Sequence, residues 1–148
     1  MQISEILSSD SILRGQAFSS KKTALEELSK LLANTDPSIR YIEVFDCLVA
    51  REKLGSTGLG KGIAIPHARL KGGKKTIAAF IQLQHGINYD AIDEAPVDIL
   101  FALLVPEDST DEHLKILSHL AEMFSNSETL ERLRSETSVD GIYKILTG

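Results

Sequence analysis

Two long apolar segments constrain the fold of this chain more than any other feature. Thr76–Leu83 and Val97–Val105 carry apolar residues at nearly every position, rather than at every second one. A strand that is apolar on both alternating faces has to be covered on both sides. Segments with helical periodicity lie before and after these strands. We therefore predict an α/β fold, a three-layer sandwich with helices on both faces of a central sheet.

Two helices are predicted before a glycine-rich stretch. The first starts after Ser19 or Ser20, since either side chain can cap free N–H groups. For the second, Asp36 is the predicted cap, and Pro37 lies in the first turn, where its missing N–H costs nothing. Gly55 is the predicted stop. The apolar stripes are Leu25, Leu28 and Leu32 in the first helix and Ile42, Phe45 and Val49 in the second.

The second half of the chain is predicted to continue the sandwich. Ile63–Ile65 forms a short strand that ends at Pro66. A third helix follows Ser109, which has capping-box spacing to Glu112, and two shorter helices cover Glu128–Arg134 and Val139–Leu146. The predicted buried stripe of the third helix is Leu114, Leu117, Ala121 and Phe124. Because no linker or internal repeat is visible, we expect one domain over residues 1–148.

Composition excludes several classes of function. Sixteen Lys plus Arg against twenty-one Asp plus Glu give a net charge of −5, which argues against nucleic acid as a main partner. The apolar stretch Ile99–Val105 is too short to cross a bilayer. The N-terminus lacks the features of an export signal, and Cys47, the single cysteine, excludes an internal disulfide. We expect a cytoplasmic protein that does not insert into a membrane.

The most unusual segment is Arg51–His67, REKLGSTGLGKGIAIPH. Gly55 to Lys61 fits part of a nucleotide-binding P-loop, but Gly62 stands where magnesium needs a hydroxyl. The order is also reversed, since this stretch runs from a helix into a strand. Two interpretations stay open: backbone N–H groups that form an anion-binding nest, or a flexible surface loop.

Three side chains could carry chemistry beside this stretch or carry none. His67 follows the stiff Ile65-Pro66 pair and is either a nucleophile, which a neutral imidazole can be, or a structural histidine. Arg51 either binds phosphoryl oxygens or complements the helix dipole. His113 is predicted to lie on the apolar side of its helix. The simpler interpretation is a half-buried histidine whose hydrogen bonds are satisfied. His113 and His119 are six residues apart, which does not place two metal ligands on one helix face, and no H-E-x-x-H motif occurs. We therefore expect no metal. We also expect no cofactor.

Two blocks of the sequence resemble the IIA components of the bacterial phosphoenolpyruvate-dependent phosphotransferase system, fructose/mannitol class. The first is RE-x-x-GSTG-x-G-x-GIAIPH, and the second is AIDEAPVDILFALLVPEDSTDEHLKILSHLA, at Ala91–Ala121. The resemblance extends from about Ile6 to Leu146. Among the branches of this family, the nitrogen-regulatory one is most similar to the segments GSTGLGKGIAIPH and PVDILFALLVP. The family fold implies that the central sheet is mixed.

The resemblance implies a role for each site residue. His67 corresponds to the phosphorylated histidine, Arg51 and His113 to positions that stabilise the phosphoryl group, and Ser56, Thr57 and Gly58 to the phosphoryl-binding loop. The implied donor is a small HPr-like carrier, loaded from phosphoenolpyruvate through an enzyme I homologue. Regulatory proteins in nitrogen control or potassium transport are the implied targets. Ala68-Arg69 departs from the Gly-basic pair that many members have.

Three other functions compete with this one. A sugar-transport IIA component would pass the phosphoryl group to a IIB partner. A binding module would hold an anion in the glycine loop without phosphorylation of His67. A nucleotide enzyme would need Lys61 and magnesium, and the sequence supports it least.

Overall fold

The computed structural model describes residues 2–148, and within them a six-stranded sheet forms the centre of the fold. Its order is β1-β5-β6-β3-β2, and β4 also pairs with β6. β5 and β6 are antiparallel, whereas β1 pairs with β5, and β3 and β4 with β6, in parallel. The predicted mixed sheet is therefore confirmed. The strands are β1 (Ile12–Gln16), β2 (Gly58–Gly60), β3 (Ile63–Ala64), β4 (His67–Leu70), β5 (Ile77–Ile87) and β6 (Val97–Pro106).

Helices cover both faces of the sheet, as the three-layer prediction requires. One buried cluster joins α2 and α3 to one face, and it includes the predicted Leu25, Leu28 and Leu32. The other cluster joins α1, α4, α5 and α6 to the opposite face. The helices are α1 (Ile3–Ile6), α2 (Lys21–Asn34), α3 (Tyr41–Lys53), α4 (Thr110–Ser125), α5 (Ser127–Ser135) and α6 (Val139–Thr147), with a 3-10 turn at Ser9–Ser11. None of these helices within the described residues is long and apolar enough to cross a membrane.

β3 and β4 behave as one strand with a break. Ile63 pairs with Ile99 and His67 with Leu103, so both strands keep the same register against β6. Between them, the Leu103 N–H donates to the Pro66 carbonyl at 2.9 Å. The sequence predicted the strand before Pro66 but missed its continuation. That continuation places His67 at the first position of β4, on the edge of the sheet.

One predicted helix start was wrong, and one predicted capping interaction is missing. α3 begins at Tyr41, with Arg40 as its N-cap, and not at Asp36. The Asp36 carboxylate instead accepts from the N–H and the hydroxyl of Ser38, a local turn that competes with helix formation. At α4, Ser109 is the N-cap, as predicted, but its side chain makes no capping hydrogen bond, so the predicted capping box is absent.

The helical stripes of α3 and α4 were predicted at the wrong phase, except at Phe124, which is buried as predicted. In α3 the fully buried residues are Val44 and Leu48, while Ile42 is 46% exposed. In α4 Leu114 is 60% exposed. The buried residues of α4 are His113, Ile116, Leu120 and Phe124. Each helix has apolar residues on two of its faces, and periodicity alone does not show which face packs against the sheet.

Candidate functional site

His67 lies where both helical layers reach the edge of the sheet. Its Nδ1 is 2.7 Å from the carbonyl oxygen of Ile65, two residues earlier. A carbonyl oxygen only accepts, so Nδ1 carries the proton and Nε2 keeps its lone pair. The short link through Pro66 fixes this geometry, because proline restricts both its own backbone and that of Ile65.

Arg51 comes to His67 from the last turn of α3. Its Nε–H donates to His67 Nε2 at 3.3 Å, and its Nη1 donates to the carbonyl of Gly55 at 2.9 Å. The second bond ties the guanidinium to the first residue of the glycine loop. A half-buried cation therefore stands at the nitrogen of His67 that has the free electron pair.

His113 reaches the same point from the first turn of α4, in the opposite layer. Its ring centroid is 5.3 Å from that of His67, and the planes meet edge to face at 74°. The side chain is buried, and neither ring nitrogen has a hydrogen-bond partner among the described residues. Burial, with the nearby His67, Arg69 and Arg51, lowers the pKa of His113 to about 4.

The same environment keeps His67 neutral. Burial lowers the pKa of the His67 imidazole below its usual 6.5, and the Arg51 charge acts in the same direction. The Ile65 carbonyl and the Glu52 carboxylate oppose this shift without reversing it. At pH 7 the site therefore holds two neutral imidazoles beside one guanidinium, a combination suited to nucleophilic attack on an anionic group.

Glu52 anchors the glycine loop from the residue next to Arg51. Its carboxylate, whose side chain is only 6% exposed, forms an ion pair with Lys21 of α2 at 3.0 Å. It also accepts from the N–H of Thr57 at 3.1 Å and from the Thr57 hydroxyl. A buried carboxylate is stabilised by such bonds. Glu52 thus connects α2, α3 and the loop.

Tyr89 completes this network from the connection between β5 and β6. Its hydroxyl lies 3.2 Å from that of Thr57, and the Lys21 ammonium lies 4.4 Å from the centre of its ring. Its backbone carbonyl accepts from Ser56, whose oxygen in turn accepts from the Gly58 N–H. Burial, with the Glu52 charge, raises the pKa of the Tyr89 phenol well above its usual value, so the phenol stays protonated.

Comparison with known proteins assigns this chain to a family. The family model described as "Phosphoenolpyruvate-dependent sugar phosphotransferase system, EIIA 2" matches residues 5–148. The chain belongs to this family. This confirms the resemblance seen in the two sequence blocks.

Relatives place the chain in the nitrogen-regulatory branch of the IIA family. It is 47% identical over 127 residues to a nitrogen regulatory protein of Pseudomonas aeruginosa, which covers 86% of this chain and 82% of that protein. It is 42% identical over 148 residues to the nitrogen regulatory protein of Escherichia coli, at 99% and 90% coverage. The predicted branch is therefore confirmed.

Solved structures agree with the fold. The crystal structure of the nitrogen regulatory protein IIA-Ntr from Neisseria meningitidis superposes with a TM-score of 0.94 at 46% identity, covering 98% of this chain and 99% of that one. The mannitol IIA structure from Escherichia coli gives 0.78 at 24% identity, with 94% and 97% coverage. At that identity the second likeness extends to the fold alone.

The loop of this IIA chain differs from the expected phosphoryl cradle in one respect. The N–H groups of Thr57 and Gly58 are already bonded within the chain, to Glu52 and Ser56. These two N–H groups are therefore not free donors for an anion, and the loop positions Arg51 instead. Glu52 follows Arg51 in the sequence and was overlooked, because nothing local shows that it bonds to Thr57 and Lys21.

The other candidates lie away from the centre. His85 and His119 are exposed, and the half-buried Cys47 thiol packs against the core. Lys61 bonds to the Ser125 carbonyl at 3.3 Å. Among the described residues, no group of three or more His, Cys, Asp or Glu side chains could hold a metal ion.

Gly58→Ala should destabilise this IIA fold. A methyl group at Gly58 would meet Ala91 Cβ at 2.7 Å and Ala91 Cα at 2.9 Å, and backbone atoms cannot move aside cheaply. We expect a loss of about 1–3 kcal/mol, measured by urea unfolding. Gly72→Ala is the comparison. Its methyl group would meet nothing within 4 Å, so any loss there comes from the positive φ of Gly72 and not from a clash. An unchanged midpoint for Gly58→Ala would contradict the close packing of loop and strand connection.

His113 should make stability depend on pH. Its pKa is about 4 in the folded chain against 6.5 unfolded, so the unfolded chain binds a proton first as pH falls. Stability is therefore lost from about pH 6.5 down to about pH 4, by about 3 kcal/mol. Unfolding at several pH values should show a shallower slope in this window for His113→Gln. His119→Gln, on the exposed face of the same helix, should keep the wild-type slope.

Proposed function

We propose that this chain is a histidine phosphocarrier that accepts a phosphoryl group on His67 Nε2 and signals by its phosphorylation state. The observation that carries the proposal is the bond from Nδ1 to the Ile65 carbonyl. It leaves Nε2 as the nucleophilic nitrogen and directs it at the Arg51 guanidinium. The family membership supports the same chemistry. The donor is an HPr-like carrier, and residues 1–148 act as one domain.

The transfer exchanges one nitrogen–phosphorus bond for another. The Nε2 electron pair of His67 attacks the phosphorus in line, and the electron pair of the broken bond returns to the donor nitrogen. The proton stays on Nδ1, where the Ile65 carbonyl stabilises the positive charge that develops on the ring. Because donor and product bonds are alike, the reaction is close to reversible. Reversibility suits a carrier or sensor better than a hydrolase.

Arg51 and His113 stabilise the phosphoryl group in this proposal. As the phosphoryl group binds Nε2, the Arg51 N–H that donates to the ring turns to a phosphoryl oxygen, a preferred partner of guanidinium. His113 has an unpartnered N–H in the free protein, and this donor becomes satisfied by a second phosphoryl oxygen. Both side chains therefore stabilise the phosphorylated protein more than the unphosphorylated one.

Exposed apolar side chains around the loop offer a docking rim for the donor. Leu54 at the end of α3 and Ile92 after β5 are 84% and 85% exposed, and Leu59 of β2 is also exposed. β2 packs directly against this connection, since Gly58 adjoins Ala91. Exposed apolar clusters of this kind mark protein contacts. A transient carrier complex needs no more than roughly 1,200 Å² of buried surface.

The regulatory targets are proposed from the family branch. Relatives in this branch are named nitrogen regulatory proteins, and we propose cytoplasmic regulatory proteins of nitrogen control or potassium transport as targets. A sugar-transport role would instead send the phosphoryl group to a IIB partner. Incubating the phosphorylated chain with membranes and a sugar separates the two, because sugar phosphate formation would contradict the regulatory proposal.

Intact-mass spectrometry tests the phosphocarrier proposal. Wild type and His67→Ala are incubated with phosphoenolpyruvate, enzyme I and an HPr-type carrier. We expect one acid-labile phosphoryl group on wild type and none on His67→Ala. His85→Ala, an exposed histidine, is the matched control and should be phosphorylated like wild type. No mass increase on wild type with a donor that loads a known IIA protein would overturn the proposal in favour of an anion-binding module.

A further inference from the structure

α3 has a second apolar stripe that the chain leaves partly uncovered. Ile42, Phe45 and Val49 share one helical face, which is offset by roughly a third of a turn from the buried stripe of Val44 and Leu48. Ile42 is 46% exposed, and Phe45 and Val49 are only partly buried against the core. α3 therefore presents apolar surface outward, on the side where α2 lies next to it.

Two grooves lie along the junction of α2 and α3. One, of about 480 Å³, is lined by Lys21, Lys22, Leu25, Phe45, Val49, Glu52 and Lys53. The other, of about 380 Å³, is lined at the opposite end by Lys30, Ile39, Arg40, Tyr41 and Ile42. We call the outward-facing stripe and these two grooves the α2–α3 groove. Since α3 has 13 residues, the groove is about 20 Å long.

The end of the α2–α3 groove near Lys53 is cationic. Lys22 and Lys53 form no ion pair with any carboxylate in residues 2–148, while Lys21 pairs with Glu52. At the other end, Lys30 is paired with Glu26 and Glu27, and Arg40 with Glu43. The exposed Asp46 lies on the same helical face as Ile42 and Lys53, between the two ends of the groove. The unpaired positive charges of the groove are thus at one end, in a chain of net charge −5.

We propose that the α2–α3 groove binds an amphipathic helix of a partner protein, about three turns long. Its apolar face packs on Ile42, Phe45 and Val49, and its carboxylates meet Lys22 and Lys53. Helices bind hydrophobic grooves through residues at i, i+3, i+4 and i+7, and charge complementarity sets orientation and selects the partner. The groove adjoins the loop network through Lys21, but the partners of His67 (Arg51, Ile65 and His113) do not line it. The proposal therefore does not depend on phosphorylation and goes beyond the phosphocarrier function.

Three synthetic 14-residue peptides test the proposal against the ¹⁵N-labelled protein by NMR. The first has leucines on one helical face and glutamates elsewhere. The second replaces each glutamate by lysine, and the third keeps the composition of the first but scrambles it so that no apolar face forms. We expect the first to shift α2 and α3 resonances and to bind at least about tenfold more tightly than either of the others. Added salt should weaken it.

Matched variants locate the site. Lys22→Glu/Lys53→Glu should weaken the first peptide at least about tenfold, whereas Lys115→Glu/Lys144→Glu, on helices of the opposite layer, should not. His67→Ala should bind like wild type, which separates this proposal from the phosphocarrier function. Equal binding of the lysine peptide, shifts confined to another surface, or an unaffected Lys22→Glu/Lys53→Glu variant would overturn it. So would a dimer in sedimentation equilibrium that buries the α2–α3 groove against a second copy.

Discussion

Arg51→Ala is expected to lower the rate of phosphoryl transfer to His67 about 10²–10³-fold. The guanidinium donates to His67 Nε2 at 3.3 Å and is held by the Gly55 carbonyl at 2.9 Å. Removing one preorganised donor from a site where charge develops typically costs this much. Rapid-quench measurement with a phosphorylated HPr-type carrier gives the rate directly.

Arg51→Lys is the matched control for charge. Lysine keeps the positive charge but not the planar fork that holds Gly55 and the ring nitrogen together. We expect a rate between those of wild type and Arg51→Ala. A full rate in Arg51→Ala would show that the guanidinium serves only the end of α3, as the alternative interpretation of the sequence holds.

Glu52→Ala is expected to cost about 2–4 kcal/mol of stability, since breaking a buried ion pair leaves charge and donors unpaired. The Glu52 carboxylate pairs with Lys21 and accepts two bonds from Thr57. Urea unfolding measures the loss. Glu52→Gln retains an acceptor for the Thr57 N–H and should lose about half as much.

A surface carboxylate on the same helix provides the control for Glu52. Glu43 makes only an exposed contact with Arg40 at 3.9 Å, and Glu43→Ala should change stability by less than about 0.5 kcal/mol. If Glu52→Ala were as mild as Glu43→Ala, the network around the loop would contribute nothing to the fold. The loop would then need another explanation for its fixed conformation.

The sequence predicted β5 and β6 well because their signal is local. β5 and β6 are continuous apolar runs, and such runs require cover on both faces. α2 was predicted correctly for the same reason: Ser20 caps it through the Thr23 N–H, and its leucines occur at a single helical phase. α5 and α6 also occupy their predicted segments within a residue or so at each end.

The errors arose where the structure depends on contacts distant in sequence. α3 has two apolar phases, and only the sheet decides that Val44 and Leu48 are buried. β1 and β2 are short and contain glycine, so their pairing rather than their composition makes them strands. The network of Glu52 with Lys21 and Tyr89 joins residues more than thirty positions apart, and no motif spacing indicates it.

The sequence indicated three residues that lie together in the structure, but not the geometry that joins them. His67, Arg51 and His113 were candidates, and the structure brings all three together. The sequence left open which nitrogen of His67 reacts. That choice depends on the Ile65 carbonyl, which lies 2.7 Å from Nδ1 at the break between β3 and β4.

The most direct test of the account is NMR of the phosphorylated protein with ¹⁵N-labelled histidines. Two-bond proton–nitrogen correlations identify each ring nitrogen, and coupling to phosphorus identifies the one that carries the phosphoryl group. The account predicts phosphorus on His67 Nε2, with Nδ1 still protonated and bonded to the Ile65 carbonyl. Phosphorus on Nδ1 of His67, or on the ring of His113, would contradict it.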